Sequence, residues 1–414
     1  MREEKKIYLP WVVWLCAAIF YGYQFCLRVS PSVMTADLMT AFQVDSCALG
    51  TSCAFYYFSY VLLQIPAGSL LDKFGPRRVI LTAILLCGFG TTLFAFTPSL
   101  WLASLGRLLI GAGSAFAFLG AVKIGTVWFP LNKLSFVIGC TIFIGTSGAV
   151  GGGLPLSLAV SYFGWRSAMA LLALLTLGIF LFSFVFLKDV PVGSDKKVPE
   201  PSKACSIGEG ILIILKNPQS WVLGIYGILM YVPLAVFADL WGVPFLKEVY
   251  HLDEMKAPGF VSLIYVGMGI CAPLAYLALR FFKSYRKCLL FSSVLSTILF
   301  VLLYFYGGSS EILLGLLLFG IGCALGGQFL AFPVVCEVNP SHLSATASGV
   351  QNMICMCSGL IFQPTVGWLL ELTGASGGGR NYLLALSVVP VSTLLSCFLF
   401  FFIRETYQLE QKKS

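Results

Sequence analysis

Apolar runs about as long as a bilayer is thick recur from one end of this chain to the other, with only short loops between them. A hydrocarbon core of about 30 Å needs roughly 20 helical residues, and tilted helices need more. On that ruler the spans fall near 9–37, 46–71, 77–96, 100–128, 133–161, 166–188, 218–246, 257–281, 287–306, 311–337, 344–372 and 382–403. Backbone polar groups in lipid must be satisfied within the segment, so runs of this length fold as helices. The chain is therefore expected to be an all-α membrane protein of twelve transmembrane helices. Composition agrees, because 58% of the 414 residues are hydrophobic, 11% are charged and the mean hydropathy is +0.91. A water-soluble surface cannot be built from so few charges.

A net charge of +8 raises the question of a nucleic-acid partner, which the placement of the charges answers. Nineteen of the Lys and Arg side chains fall in the loops and tails of one side, four fall on the other, and Arg28, Arg107 and Lys123 lie within spans. This asymmetry is an orientation signal; it places both termini in the cytoplasm and argues against nucleic acid. Almost all the Cys residues stand singly in apolar runs with no Cys-x-x-Cys pair, and the two His residues, His251 and His342, sit in loops. No metal or other cofactor is expected. The apolar run after Met1–Lys6 continues past Ser30 without a small-residue cleavage site and reads as a first span. No Asn-x-Ser/Thr acceptor occurs, which favours a bacterial inner membrane.

The only long polar stretch, 189–217, separates two six-span halves, expected as bundles over 1–188 and 218–414. An internal repeat supports the division. At an offset of 209, Arg77-Arg78-Val79-Ile80-Leu81 falls on Arg286-Lys287-Cys288-Leu289-Leu290, and Gly111, Gly113 and Ala115 fall on Gly320, Gly322 and Ala324. At an offset of 210, Trp11, Val12 and Tyr21 fall on Trp221, Val222 and Tyr231, and Gly164 falls on Gly374. Parallel repeats of this kind place a binding site near the bilayer midplane, where the halves meet.

The segment Gly68-Ser-Leu-Leu-Asp72-Lys-Phe-Gly75-Pro-Arg77-Arg78 closely resembles the loop between the second and third helices of the major facilitator superfamily. Gly106-Arg107-Leu-Leu-Ile-Gly111-Ala-Gly113 is similar to that family's fourth-helix motif, and Gly148-Ala149-Val-Gly-Gly152-Gly153 resembles its glycine-rich fifth helix, with Ala149 where the antiporter pattern has Pro. The resemblance implies a transporter of the major facilitator fold, with Gly68, Asp72, Gly75, Arg77, Arg78 and Arg107 as a conformational latch. Gly68 is expected to allow close helix approach, and Asp72 to sit near a positive helix end such as that of the eleventh span. Arg77 and Arg78 could serve orientation alone, and Arg107 could snorkel. In the second half Phe281 and Leu277 stand where Asp72 and Gly68 stand in the first, so only one latch is kept.

At 100° per residue, Tyr21, Gln24, Arg28, Ser32 and Thr35 share one face of the first span, a polar stripe suited to a water-filled cavity. Arg28 can fork onto a carboxylate or phosphate, or else snorkel to headgroups. Under the repeat it falls on Ala238, so Asp239 lies at nearly the same depth in the other half. A cation and an anion so placed suit a zwitterion, although Asp239 could equally be an outer-end or ion-pair residue. Tyr57, Tyr60 and Gln64 in the second span, Gln328 in the tenth, and Ser348, Gln351, Asn352 and Cys355 in the eleventh are further candidates, since an unpaired amide in lipid is costly. Asp239 and Glu337 are the candidate proton-coupling acids. Lys123, facing either a cavity or a neighbouring acid, is left open.

The stretches Tyr21-to-Met34 and Asp239-to-Leu246 look like the branch of that superfamily containing intraphagosomal nutrient transporters of intracellular bacteria. The likeness implies amino acids, or in some members nucleosides, and a more distant likeness to dipeptide carriers adds dipeptides; the expected function is proton-coupled import of such a small polar nutrient by a monomer whose partners are the solute, protons and lipid. Efflux of a drug or siderophore is the alternative within transport, and a transporter-like sensor the alternative outside it. No nucleotide-binding loop and no converging nucleophile, base and acid are present, which argues against an ATP-driven pump and an enzyme.

Overall fold

The computed structural model describes residues 2–190, 207–340, 343–373 and 378–407. Much of the expected 189–217 linker, together with His342, lies outside the described residues. Among the described residues, ten helical stretches are long and apolar enough to cross a membrane. One of them, Phe136–Phe186, is 51 residues long and turns at Gly164, whose φ of +77° is a conformation only glycine adopts freely, so it supplies two spans. The helix Lys256–Phe282 supplies one more, which completes twelve.

In chain order the spans, numbered 1 to 12, are Tyr8–Val33, Ser46–Phe74, Pro76–Phe96, Leu100–Trp128, the two parts of Phe136–Phe186, Pro218–Tyr250, Lys256–Phe282, Tyr285–Tyr306, Glu311–Glu337, Ser344–Leu372 and Gly379–Phe401. Side chains such as Phe281, Phe305, Ile312 and Trp101, each more than 70% exposed, belong on these surfaces only if lipid covers them.

The chain divides into two compact units, Met1–Ser30 with Phe55–Lys203, and Pro31–Ala54 with Ala204–Ser414. Residues 31–54, counted with the first bundle in the sequence, thus group with the second unit. There, Cβ atoms added to Gly50 and Gly367 would come within 2.6 Å of the Gln363 carbonyl and 2.4 Å of the Ser46 carbonyl. A short helix, Ile207–Lys216, occupies part of the expected linker and buries Ile214.

Packing within each unit runs through glycines. In the first, a Cβ on Gly148 of span 5 would lie 1.9 Å from the Gly22 carbonyl of span 1. A Cβ on Gly111 of span 4 would lie 2.0 Å from the Tyr56 carbonyl of span 2. In the second, a Cβ on Gly322 of span 10 would lie 2.1 Å from the Ile264 carbonyl of span 8. Apolar burial drives little helix association in lipid, so close backbone approach takes over that role.

Two corresponding helix starts are capped by carboxylates from farther along the chain. Asp189 accepts the Arg77 amide at 2.8 Å where span 3 begins. Glu405 accepts the amides of Tyr285 at 3.1 Å and Arg286 at 3.3 Å, together with the Ser284 hydroxyl, where span 9 begins. Burial pushes the Glu405 carboxyl up, but these bonds and one from the Tyr407 amide outweigh it and hold the group below its usual range.

Candidate functional site

Span 1 does not run on as one helix to residue 37. Its α-helix stops at Val29 and passes into a tight 3-10 turn over Ser30–Val33, and a separate helix begins at Thr35. Pro31 has no amide to continue the α ladder, and the Ser30 hydroxyl bonds the Leu27 carbonyl at 2.9 Å. The polar stripe therefore holds as a helical face only through Tyr21, Gln24 and Arg28; Ser32 lies in the turn and Thr35 opens the next helix.

Around that helix end the first unit assembles a compact polar group. The Arg28 guanidinium, 3% exposed, stacks 4.0 Å over the Phe25 ring. Gln24 accepts the Tyr56 hydroxyl at 2.8 Å. The Tyr56 ring meets Tyr57 edge-on at 5.2 Å and stacks on Tyr60 at 6.1 Å. Arg107 reaches across from span 4, its two terminal nitrogens donating to the carbonyls of Leu27 at 2.8 Å and Arg28 at 3.4 Å, its guanidinium 5.0 Å over Tyr56. At 2% exposure Arg107 is buried, so it does not snorkel; it satisfies carbonyls that the end of the α-helix leaves open. Tyr21 packs on Phe25 and Phe118 and against Gly145.

The second unit places Asp239 inside a π-helical stretch, Pro233–Trp241, in which all nine residues are buried. Asp239, 1% exposed, accepts the Tyr265 hydroxyl of span 8. The Gln363 side-chain amide of span 11 donates to the Ala235 carbonyl at 2.7 Å, and the Trp241 indole donates to the Gln363 carbonyl at 3.2 Å. Gln351 donates to the Leu223 carbonyl at 2.9 Å and so ties span 11 to span 7, while Asn352 on the same helix is half-buried. Gln328 is buried in a 3-10 turn within span 10, and Glu337 sits half-buried at that span's end.

In the loop between spans 2 and 3, Gly75 has φ +79°, a conformation that favours glycine, and a Cβ there would stand 2.7 Å from the Asp189 carboxylate. Arg77 donates to the Phe184 carbonyl at 3.0 Å, and Arg78 is exposed. Asp72 pairs with Lys123 of span 4 at 2.6 Å, which decides the open question of Lys123 in favour of a neighbouring acid. A Cβ added to Gly68 would meet nothing within 4 Å.

Tyr56, Tyr265, Trp241 and Gln363 were not among the residues singled out from the sequence. Gln363 alone carried a signal, an amide within an apolar run beside Pro364.

Among the described residues the buried charges are Arg28, Arg107 and Asp239, set in helices with apolar outer faces. Charge in the interior of a many-spanned helical protein is costly and is kept where it is paired or where a polar solute or ion must pass, which fits a membrane transport protein. The family model described as Major Facilitator Superfamily matches residues 13–364, and the chain belongs to that superfamily.

The chain is 30% identical over 178 residues to the "Probable sulfoacetate transporter SauU" of Cupriavidus necator, a match covering 43% of this chain and 41% of that protein. It is 22% identical to the "Probable galactarate/D-glucarate transporter GudP" of Escherichia coli over 95% of this chain and 93% of that one. A crystal structure of the nucleoside transporter NupG superposes with a TM-score of 0.78 at 16% identity, covering 94% of this chain and 99% of that one, which confirms the all-helical fold. The likenesses set the chain among the proteins of a transporter superfamily.

Proposed function

We propose that this chain is a secondary transporter that works by alternating access and imports a small polar solute bearing an anionic group, with Arg28 holding that group. The observation that carries the reading is a guanidinium 3% exposed on the polar face of span 1, stacked on Phe25 one turn from Gln24 and Tyr56. A planar cation in a desolvated setting suits a carboxylate, sulfonate or phosphate. The relatives support the same chemistry, since sulfoacetate and galactarate or D-glucarate are organic anions.

Asp239 favours a narrower form of this reading. A buried carboxylate can take a proton or an ammonium group, which suits proton coupling and an amino-acid substrate. Glu337, half-buried at the end of span 10, is the second candidate for proton transfer. In this reading the chain works as a monomer in the bacterial inner membrane, with both termini inside.

A thermal-shift screen of the purified protein against organic acids, amino acids and their deaminated analogues, dipeptides and nucleosides tests the substrate class. Stabilisation by anionic members that is lost in Arg28→Ala supports the reading. Equal stabilisation of the variant overturns it. A protonophore added to vesicles should abolish accumulation, and accumulation that follows sodium alone would exclude proton coupling.

A further inference from the structure

Span 7 departs from α-helix where its buried acid sits. In an α-turn the Ala235 carbonyl would meet the amide four residues on, and in a π-turn the amide five residues on. The π register is confirmed at the end of the stretch, where the Gly242 amide reaches back to the Phe237 carbonyl. π-turns are rare and do not persist without support from outside the helix.

That support comes from one residue of span 11. The Gln363 side chain, 2% exposed, donates to the Ala235 carbonyl at 2.7 Å near the start of the π stretch. Its own backbone carbonyl accepts the Trp241 indole at 3.2 Å at the far end. One residue thus grips both ends of the segment, with Asp239 between the two grips. The Gln363 backbone is itself fixed, because Gly50 packs so closely that a Cβ would stand 2.6 Å from that carbonyl.

We propose that Gln363 is a positioning residue for Asp239: by holding Pro233–Trp241 in the π register it fixes the direction in which the carboxylate is presented to Tyr265. Relaxation to α-helix changes the turn by one residue and rotates the C-terminal part of the span by about 100° relative to its N-terminal part. Such a rotation would take Asp239 away from the Tyr265 hydroxyl. The functional importance of this positioning rests on the proposed role of Asp239 in transport.

The test uses the full chain in lipid bilayers, labelled with 13C at the aspartate side-chain carboxyl and observed by NMR. The Asp239 resonance is the one that Asp239→Asn removes, and Tyr265→Phe marks its position without the tyrosine bond. Gln363→Leu is expected to move the resonance to the Tyr265→Phe position. Trp241→Phe, which keeps the ring and removes the indole donor, should move it the same way and stands in if Gln363→Leu does not fold. A resonance that stays at its wild-type position in the folded variants overturns the inference, as does a Tyr265→Phe variant that leaves it unmoved. Proton-driven uptake is measured separately in Asp239→Asn; if uptake persists undiminished, the role of Asp239 in transport falls while the register result stands on the NMR alone.

Discussion

The end of the α-helix in span 1 and the middle of span 7 occupy corresponding places in the two halves, and each carries a buried charge where the α-helix gives way. Arg28 lies in the last turn before a tight 3-10 segment, and Asp239 lies in a wide π segment. In both places a long side chain from another span donates to a backbone carbonyl at the departure, Arg107 in the first half and Gln363 in the second. A membrane helix can leave the α ladder only where something else satisfies the backbone. The donors differ in kind: a guanidinium serves two carbonyls at a helix end, and a carboxamide serves one carbonyl of a helix that continues.

The largest expected effect breaks the clamp of the first half. Arg107→Ala takes its donor from the Arg28 carbonyl, leaves the Leu27 carbonyl only the Ser30 hydroxyl, and empties a buried site, a loss on the order of 3 kcal/mol. Thermal unfolding in detergent measures it, and Arg107→Lys should rescue little because an ammonium lacks the planar fork. A wild-type melting temperature in Arg107→Ala would remove the clamp from the comparison.

Next come the glycine contacts that set each charged helix against its neighbour. Gly148→Ala would drive a methyl group into the Gly22 backbone, whereas Gly227→Ala would meet the movable side chains of Cys355 and Gln351. The first should cost about 1–3 kcal/mol and the second distinctly less, read as folded yield and melting temperature of the two variants. Equal losses would show that the halves are packed with the same tolerance.

Arg28→Lys keeps the charge and loses the fork, so affinity for the anionic solute should fall about tenfold, or about 1.4 kcal/mol, by calorimetry. Undiminished affinity would make Arg28 a structural residue like Arg107.

The smallest effect compares the helix caps. The folded-state pKa of Glu405 lies below its ordinary 4.5, so its stabilisation is full above about pH 4.5 and is lost as pH falls through the lower folded value. The group is half-buried, and after screening the contribution is about 0.5 kcal/mol. Glu405→Gln should therefore flatten the acid limb of the stability curve slightly, and an unchanged limb would show that the cap contributes nothing.

The number of spans was legible because lipid imposes length and apolarity on every crossing. The breaks inside the spans were not. A helix buried in lipid and protein is apolar nearly all round, so a change from α to 3-10 or π register leaves no mark in the hydrophobic pattern. Pro31 and Pro233 stand where the two departures begin, but neither tells a 3-10 turn from a π stretch, and the support of the π stretch lies in Gln363, more than a hundred residues away. Arg107 was legible as a costly charge, but not as a donor to main-chain carbonyls. Tyr57 and Tyr60 stood out on a helical wheel, while Tyr56, which bonds Gln24, did not, because a hydroxyl's partner depends on the packing of spans 1 and 2.

The contact between Gly22 and Gly148 also bears on how such a sequence can change over generations. Each position faces backbone of the opposite helix, and every residue other than glycine brings a Cβ. No smaller side chain exists through which to retreat, and a change at one position cannot be offset by shrinking the other. The two sites therefore cannot drift by small steps. Only a shift of one whole helix relative to the other would admit a substitution, and that shift would carry Gln24 and Arg28 with it.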